Sequence, residues 1–279
     1  MSTALVWRAG SHEIDFLGHT RVMGILNVTP DSFSDGGLYL DPEAAVRRGI
    51  DMVAEGADFI DVGGESTRPG SDPVPSDEER DRVCPVIKRL ATEVDVPISV
   101  DTRKADVAET ALSVGASIVN DVTAGRDPDM FDVVRQAGAG MVLMHMRGNP
   151  KTMQHDPHYD DVVTEVRGFL AERLAAAVAA GIERERLCID PGIGFGKTVE
   201  HNVELLRGVP ALAELGRPVL VGPSRKSFIS HLLGEDADRL IGTAIVVGWL
   251  VATGAHVVRV HDVGAMVQVI RLTEALTDE

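Results

Sequence analysis

Eight short runs of Val, Ile, Leu and Met end abruptly in residues that can bind or react: Asn27, Asp61, Asp101, Asn120 with Asp121, His145, Asp190, Ser224 to Ser227, and Arg259 with His261. The carboxylates and amides among them can pair with donors and acceptors on a ligand. Ser224-Arg225-Lys226-Ser227 and Arg259-Val260-His261-Asp262 form the main basic cluster, and the alternation of a strand sends Arg259 and His261 to one face. Such a cluster can hold an anion. Taken singly, an aspartate here reads as a helix cap or a loop solubiliser, and a lone histidine as a hydrogen-bonded structural one. The shared place in the pattern favours a site, because burying many polar groups together is costly unless a ligand or hydrogen bonds satisfy them.

The segment Asp190-Pro191-Gly192-Ile193-Gly194-Phe195-Gly196-Lys197-Thr198 superficially suggests a phosphate-binding loop. That motif needs glycine where this chain has Pro191, and it follows an initial strand rather than a sixth. The segment reads instead as a glycine-shaped ledge that brings backbone and Phe195 close to a planar ligand. Asn27 to Gly37 and Gly63 to Pro75 are loops rich in Gly, Pro, Ser and Asp, in the manner of active-site lids. A third irregular segment, Met146 to Tyr159, follows the fifth apolar run.

Residues scattered this widely meet only if the elements bring them to one end of a sheet. Strands are expected at Val22 to Leu26, Phe59 to Val62, Ile98 to Val100, Ser117 to Val119, Gly140 to Met144, Leu187 to Ile189, Val219 to Val221 and Val257 to Val260. Their near-continuous apolar character suits parallel strands buried on both faces. Between them, Pro42 to Glu55, Ser76 to Glu93, Lys104 to Ser113 and Asp160 to Ala180 carry apolar residues at helical spacing, with starts marked by Asp41-Pro42 and by Ser76-Asp77-Glu78-Glu79. Eight strand-loop-helix units predict an α/β (β/α)₈ TIM barrel, whose active site lies at the C-terminal ends of its strands. Ala4 to Phe16, split by Gly10-Ser11, predicts a short N-terminal β-hairpin over the barrel floor.

Composition fits one domain over residues 1–279, near the usual barrel length of about 250 residues, with 44% hydrophobic content. The apolar runs fall short of the roughly 18 residues of a membrane span, and Met1 to Gly10 lacks a signal core, so a soluble cytoplasmic protein is expected. Cys84 and Cys188 have no metal-ligand spacing and read as free thiols. A net charge of −16 argues against nucleic acid or an anionic membrane as partner.

The segments MGILNVTPDSFSDGG (Met23 to Gly37), DVGGESTRPG (Asp61 to Gly70), SVDT (Ser99 to Thr102), NDV (Asn120 to Val122), LMHMRGNPKTMQ (Leu143 to Gln154), DPGIGFGK (Asp190 to Lys197), SRKS (Ser224 to Ser227) and RVHDV (Arg259 to Val263) together resemble the dihydropteroate synthases of bacterial folate biosynthesis. The resemblance covers essentially the whole chain. It implies condensation of 6-hydroxymethyl-7,8-dihydropterin diphosphate with p-aminobenzoate, giving 7,8-dihydropteroate and pyrophosphate. By the same resemblance, Asp190 pairs with the pterin donor edge, and Asn120, Met144 and Lys226 complete the pterin pocket. Asp101 lies against the pterin and steadies positive charge at its methylene. Asn27 contacts Mg²⁺, and Arg259 and His261 hold the diphosphate. Phe33, Thr67, Arg68, Pro69, Phe195 and Ser227 surround p-aminobenzoate. Relatives are commonly homodimers through helices late in the chain. One departure is Pro223, where a small or apolar residue commonly precedes SRKS.

Two other readings compete. A pterin-dependent methyltransferase would share the pterin pocket but has no need of Asn27, Arg259 and His261 as a phosphate cluster. A catalytically silent pterin binder would show damage in at least one segment, and all eight are intact.

Overall fold

A computed structural model describes residues 5–29, 41–66, 71–148 and 151–277. Strands β1 (Val6–Ala9) and β2 (His12–Asp15) form an antiparallel hairpin in which Val6 faces Asp15 and Ala9 faces His12. The expected barrel follows: β3 (Arg21–Asn27), β4 (Phe59–Gly63), β5 (Ile98–Asp101), β6 (Ile118–Asp121), β7 (Gly140–Met144), β8 (Leu187–Asp190), β9 (Leu220–Val221) and β10 (Val257–Val260). These eight are parallel in the order β8-β7-β6-β5-β4-β3-β10-β9, and an isolated parallel bridge between Ile189 and Val219 joins the two ends. The helices are α1 (Pro42–Ala54), α2 (Ser76–Glu93), α3 (Ala105–Ser113), α4 (Met130–Ala137), α5 (Val162–Ala179), α6 (Val199–Arg207), α7 (Val209–Ala213), α8 (Ser227–Leu233), α9 (Arg239–Ala252) and α10 (Val263–Thr277).

Strand alternation sorts the side chains into two cores. Ile60, Val62, Val100, Val119, Leu143, Ile189 and Val258 face outward, into the layer beneath the helices. Met23, Phe59, Ile118, Val142, Cys188, Leu220 and Val257 face inward and form a separate cluster, closed by Trp7 and Ala9 of the hairpin. The hairpin is pinned there because Trp7 Nε1 donates to the Arg186 carbonyl at 3.0 Å and Arg217 donates to the Val6 carbonyl at 2.7 Å. Two residues further along the same inward rows stand Asp61, Asn120, Met144, Asp190 and Arg259. The dry floor therefore ends where the polar groups begin.

Local departures from the sequence reading have local causes. The seventh barrel strand shortens to two residues because the Val219 amide donates to His256 Nδ1 at 3.2 Å instead of extending the ladder. Asp41 caps α1 as expected, accepting from the Glu43 amide at 2.9 Å. In α2, however, Pro75 occupies the cap and Ser76 is already helical, so its hydroxyl caps nothing. Both cysteines are free thiols, and among the described residues no helix is long and apolar enough to cross a membrane.

Candidate active site

The C-terminal end of the barrel is organised around Asp61, which is fully buried. Its Oδ2 accepts from Asn120 Nδ2 at 2.9 Å and from Arg259 Nε at 2.6 Å, while a second Arg259 nitrogen donates to Asp101 Oδ2 at 2.7 Å. One guanidinium thus bridges two carboxylates supplied by neighbouring strands, a strong charge-assisted geometry. Burial works against the charge of Arg259, yet Asp61 and Asp101 outweigh it and hold its pKa above the ordinary value. Burial raises Asp101, with Asp61 adding to the rise and Arg259 opposing it. Among the described residues, three buried oxygens in this layer have no hydrogen-bond partner: Asp61 Oδ1, Ser99 Oγ and Asn120 Oδ1. Left so, each would carry a desolvation cost of about 1–3 kcal/mol.

Asp190 ends β8, and its Oδ1 accepts from the Gly192 amide at 2.7 Å. Gly192 has φ 68°, and a Cβ there would stand 2.0 Å from the His145 carbonyl oxygen, so glycine alone lets the ledge approach the end of β7 this closely. Burial pushes Asp190 up to about 6, against the Gly192 amide, Lys226, Arg259 and Lys197. Lys226, half-buried, is brought down to about 8 by desolvation and by Arg259 and remains mostly a cation at neutral pH. Its Nζ lies 4.1 Å from the centroid of the Phe195 ring, a cation–π contact. Phe195 in turn packs on Val122, Met144, Met146 and Met153. This apolar wall stands beside the polar layer.

Asn27 ends β3 at another corner, where a Cβ on Gly63 would lie 3.7 Å from both Asn27 Oδ1 and Asp101 Oδ2. His261 lies beyond β10. Its Nδ1 is 2.9 Å from Ser224 Oγ, which also accepts the His261 amide at 3.2 Å. The Ser224 hydroxyl thus fixes the imidazole ring through Nδ1. Burial and the cations Arg259 and Arg225 take His261 down to about 4, so it offers a neutral donor rather than the charged one expected beside a diphosphate. Arg225, at φ 56°, donates to both Asp262 oxygens at 3.0 and 2.6 Å. That latch ties the loop carrying Lys226 to the loop carrying His261.

Asn27, Asp101, Asn120, Met144, Asp190, Phe195, Lys226, Arg259 and His261 all stand at this end of the barrel, and Ser227 opens α8 at an exposed position. Phe33, Thr67, Arg68 and Pro69 lie outside the described residues. Asn120 and Asp121, adjacent in sequence, separate: Asp121 turns to its own loop, accepting from the Thr123 and Gly125 amides at 2.7 Å each. Sequence reasoning gave Asp61 no role, although its place two residues beyond inward-facing Phe59 marks it as an interior carboxylate. Lys197 was missed as well.

Residues 23–261 match the family model described as pterin binding enzyme. The dihydropteroate synthase of Synechocystis sp. is 46% identical over 270 residues, which cover 96% of this chain and 93% of that protein. The chain belongs to the dihydropteroate synthase family. A dihydropteroate synthase structure from Xanthomonas albilineans with 4-aminobenzoic acid superposes with a TM-score of 0.93 at 46% identity, covering 99% of this chain and all of the other (100%). A second structure from that organism, in complex with 7,8-dihydropteroate, gives a TM-score of 0.88 at 43% identity, covering 98% and 99% of the two chains. A dihydropteroate synthase must seat a flat heterocycle, a second aromatic substrate and a leaving diphosphate, and the mouth offers polar, aromatic and cationic sectors in matching number.

Proposed function

We propose that the enzyme condenses 6-hydroxymethyl-7,8-dihydropterin diphosphate with p-aminobenzoate, forming 7,8-dihydropteroate and releasing pyrophosphate. One observation carries most of the residue-level reading. Unpartnered acceptors on Asp61 and Asn120, beside the buried Asp190 carboxylate, suit a donor-rich heterocycle better than any apolar ligand. Asp190 accepts from the pterin amino group and the adjacent ring N–H, while Lys226 donates to the ring carbonyl and nitrogen. Asn120, its Nδ2 engaged by Asp61, turns Oδ1 to the remaining edge. Met144 supports the ring face.

As the bond from the pterin methylene to the diphosphate oxygen breaks, positive charge spreads into the ring, and the fixed Asp101 carboxylate stabilises it in a site screened from water. The amine nitrogen of p-aminobenzoate then bonds to the methylene and loses a proton. Arg259 and His261 hold the departing phosphates. Phe195, with Ser227 and with Phe33, Thr67, Arg68 and Pro69 of the two glycine-rich loops, encloses p-aminobenzoate. Mg²⁺ fits this mouth as a hard cation with few protein ligands, and Asn27 Oδ1, which like Asp101 Oδ2 faces Gly63, is the oxygen donor that would hold it. When bound, it would neutralise charge on the leaving diphosphate.

Relatives seen with 4-aminobenzoic acid and with 7,8-dihydropteroate support this substrate pair. The deciding experiment follows pyrophosphate release. Release is expected only with both substrates present and to fall on chelation of Mg²⁺; turnover independent of p-aminobenzoate would refute the assignment.

The enzyme is further read as a cytoplasmic homodimer. Leu240, Ile241, Ile245 and Trp249 on α9 and Leu272 and Leu276 on α10 are exposed apolar side chains on two helices packed together. Such a face suits a second copy of the chain. Light scattering is expected to give twice the monomer mass, and a monomer at micromolar concentration would remove this reading.

A further inference from the structure

Lys197 is buried, and Asp190 acts on it only through space, with no carboxylate in ion-pair contact among the described residues. Its Nζ lies 3.0 Å from His145 Nδ1, 2.9 Å from the Phe195 carbonyl oxygen and 3.5 Å from the His145 carbonyl oxygen. All three partners are neutral acceptors. Burial and the neighbouring cations Lys197 and Arg147 take His145 down to about 2, so its ring is neutral and its Nδ1 is free to accept. The His145 ring is itself fixed edge-on against Phe169, with centroids 4.9 Å apart. Burial takes Lys197 down to about 7, and an amine held there without a counterion is a poor stabiliser compared with an apolar side chain of its size. Its geometry points to another use.

The ledge that Lys197 ends carries left-handed glycines at 192, 194 and 196, a backbone with many conformations open to it. Side chains hold three successive carbonyls of this ledge: Gln154 that of Gly194 at 2.7 Å, Lys197 that of Phe195, and Tyr159 that of Gly196 at 2.8 Å. Of the three, Lys197 also bonds the ring nitrogen of His145, the residue that follows β7, while Tyr159 meets that ring only through a tilted ring contact at 6.1 Å. We propose that Lys197 is a positioning residue for the p-aminobenzoate step: by tying the Phe195 carbonyl to His145 at the end of β7, it sets where the Phe195 ring stands. The proposal depends on the reading of Phe195 as a wall of the p-aminobenzoate site.

The test compares Lys197→Met, Phe195→Ala and the double variant in steady-state turnover, with pterin affinity measured by calorimetry. Lys197→Met is expected to raise KM for p-aminobenzoate about tenfold or more, since small misplacements at a reacting site carry large penalties. Pterin affinity should stay within about twofold of the parent. In the Phe195→Ala background the ring to be positioned is gone, so adding Lys197→Met should change that KM by less than about twofold. Equal losses in both backgrounds, or parallel losses of pterin and p-aminobenzoate, would reduce Lys197 to general structural support and overturn the proposal. If the methionine variant does not fold, Lys197→Gln carries the test, because its amide still reaches a carbonyl. A smaller rise in the same KM with pterin affinity kept supports the proposal, and any other pattern overturns it. An active parent with an indifferent Lys197 overturns this inference alone, whereas a parent that consumes no p-aminobenzoate overturns the functional reading as well.

Discussion

Substituting Asp190→Asn is expected to weaken pterin binding by about 3 kcal/mol, on the order of a hundredfold, the scale of breaking one side of a buried charged pair. The asparagine keeps the shape of the side chain, and its carbonyl can still accept from the Gly192 amide at the Asp190 Oδ1 position. What it loses is the second acceptor, since an NH₂ group would face the pterin donors. Loss of binding with the ledge intact therefore isolates recognition from folding, and calorimetry with a pterin ligand reads it directly. The same carboxylate gives the parent enzyme a pH signature. Burial has raised Asp190 to about 6, so it takes up a proton as pH falls through that value and ceases to be a paired acceptor. Pterin affinity should be flat above about pH 7 and fall by about tenfold per unit well below 6. Affinity in the asparagine variant should lack this limb. Unchanged affinity in the variant would remove Asp190 from the pterin site.

The inward positions were legible because a strand has a period of two and the apolar runs were short. Once Phe59, Ile118, Cys188 and Val257 are assigned to the barrel interior, Asp61, Asn120, Asp190 and Arg259 follow at the next inward step. Pairing was not legible. Whether Arg259 meets Asp61 or Asp190 depends on barrel register and on which strands become neighbours, and the closure of β3 against β10 decides it. The same holds for Lys197 and His145, 52 residues apart in sequence and joined only because β7 and β8 are adjacent. The neutrality of His261 was likewise hidden, since it follows from burial beside two arginines and not from the RVHDV motif. The ledge could be recognised by its glycines. Its contact with the His145 carbonyl could not, because that depends on where β7 ends in space.

The bridging guanidinium supports the prediction with the widest consequences. Arg259→Met is expected to lower stability by about 3–5 kcal/mol, the cost of leaving buried charge unpaired. It should also abolish measurable pyrophosphate binding, while free pterin, held chiefly by Asp190, is affected far less. Arg259→Lys should recover only part of the stability, because an ammonium cannot reproduce the fork that reaches Asp61 and Asp101 together. The pH dependence separates this account from simple loss of packing. Asp101 is a carboxylate whose folded-state pKa lies above its ordinary value, so the native state binds its proton more tightly than the unfolded chain does. Its ionisation therefore costs stability as pH rises from the ordinary carboxylate range through the folded value. Removing Arg259, which opposes that rise, moves the folded value higher still and extends the loss further toward alkaline pH. Thermal denaturation should then show the gap between Arg259→Met and the parent narrowing as pH falls from the alkaline range to about 7 and levelling off below, where Asp101 is protonated in both proteins and no longer needs a counterion. A gap independent of pH would mean that the arginine contributes through its packed stem, and the two carboxylates would then need another source of neutralisation inside the barrel.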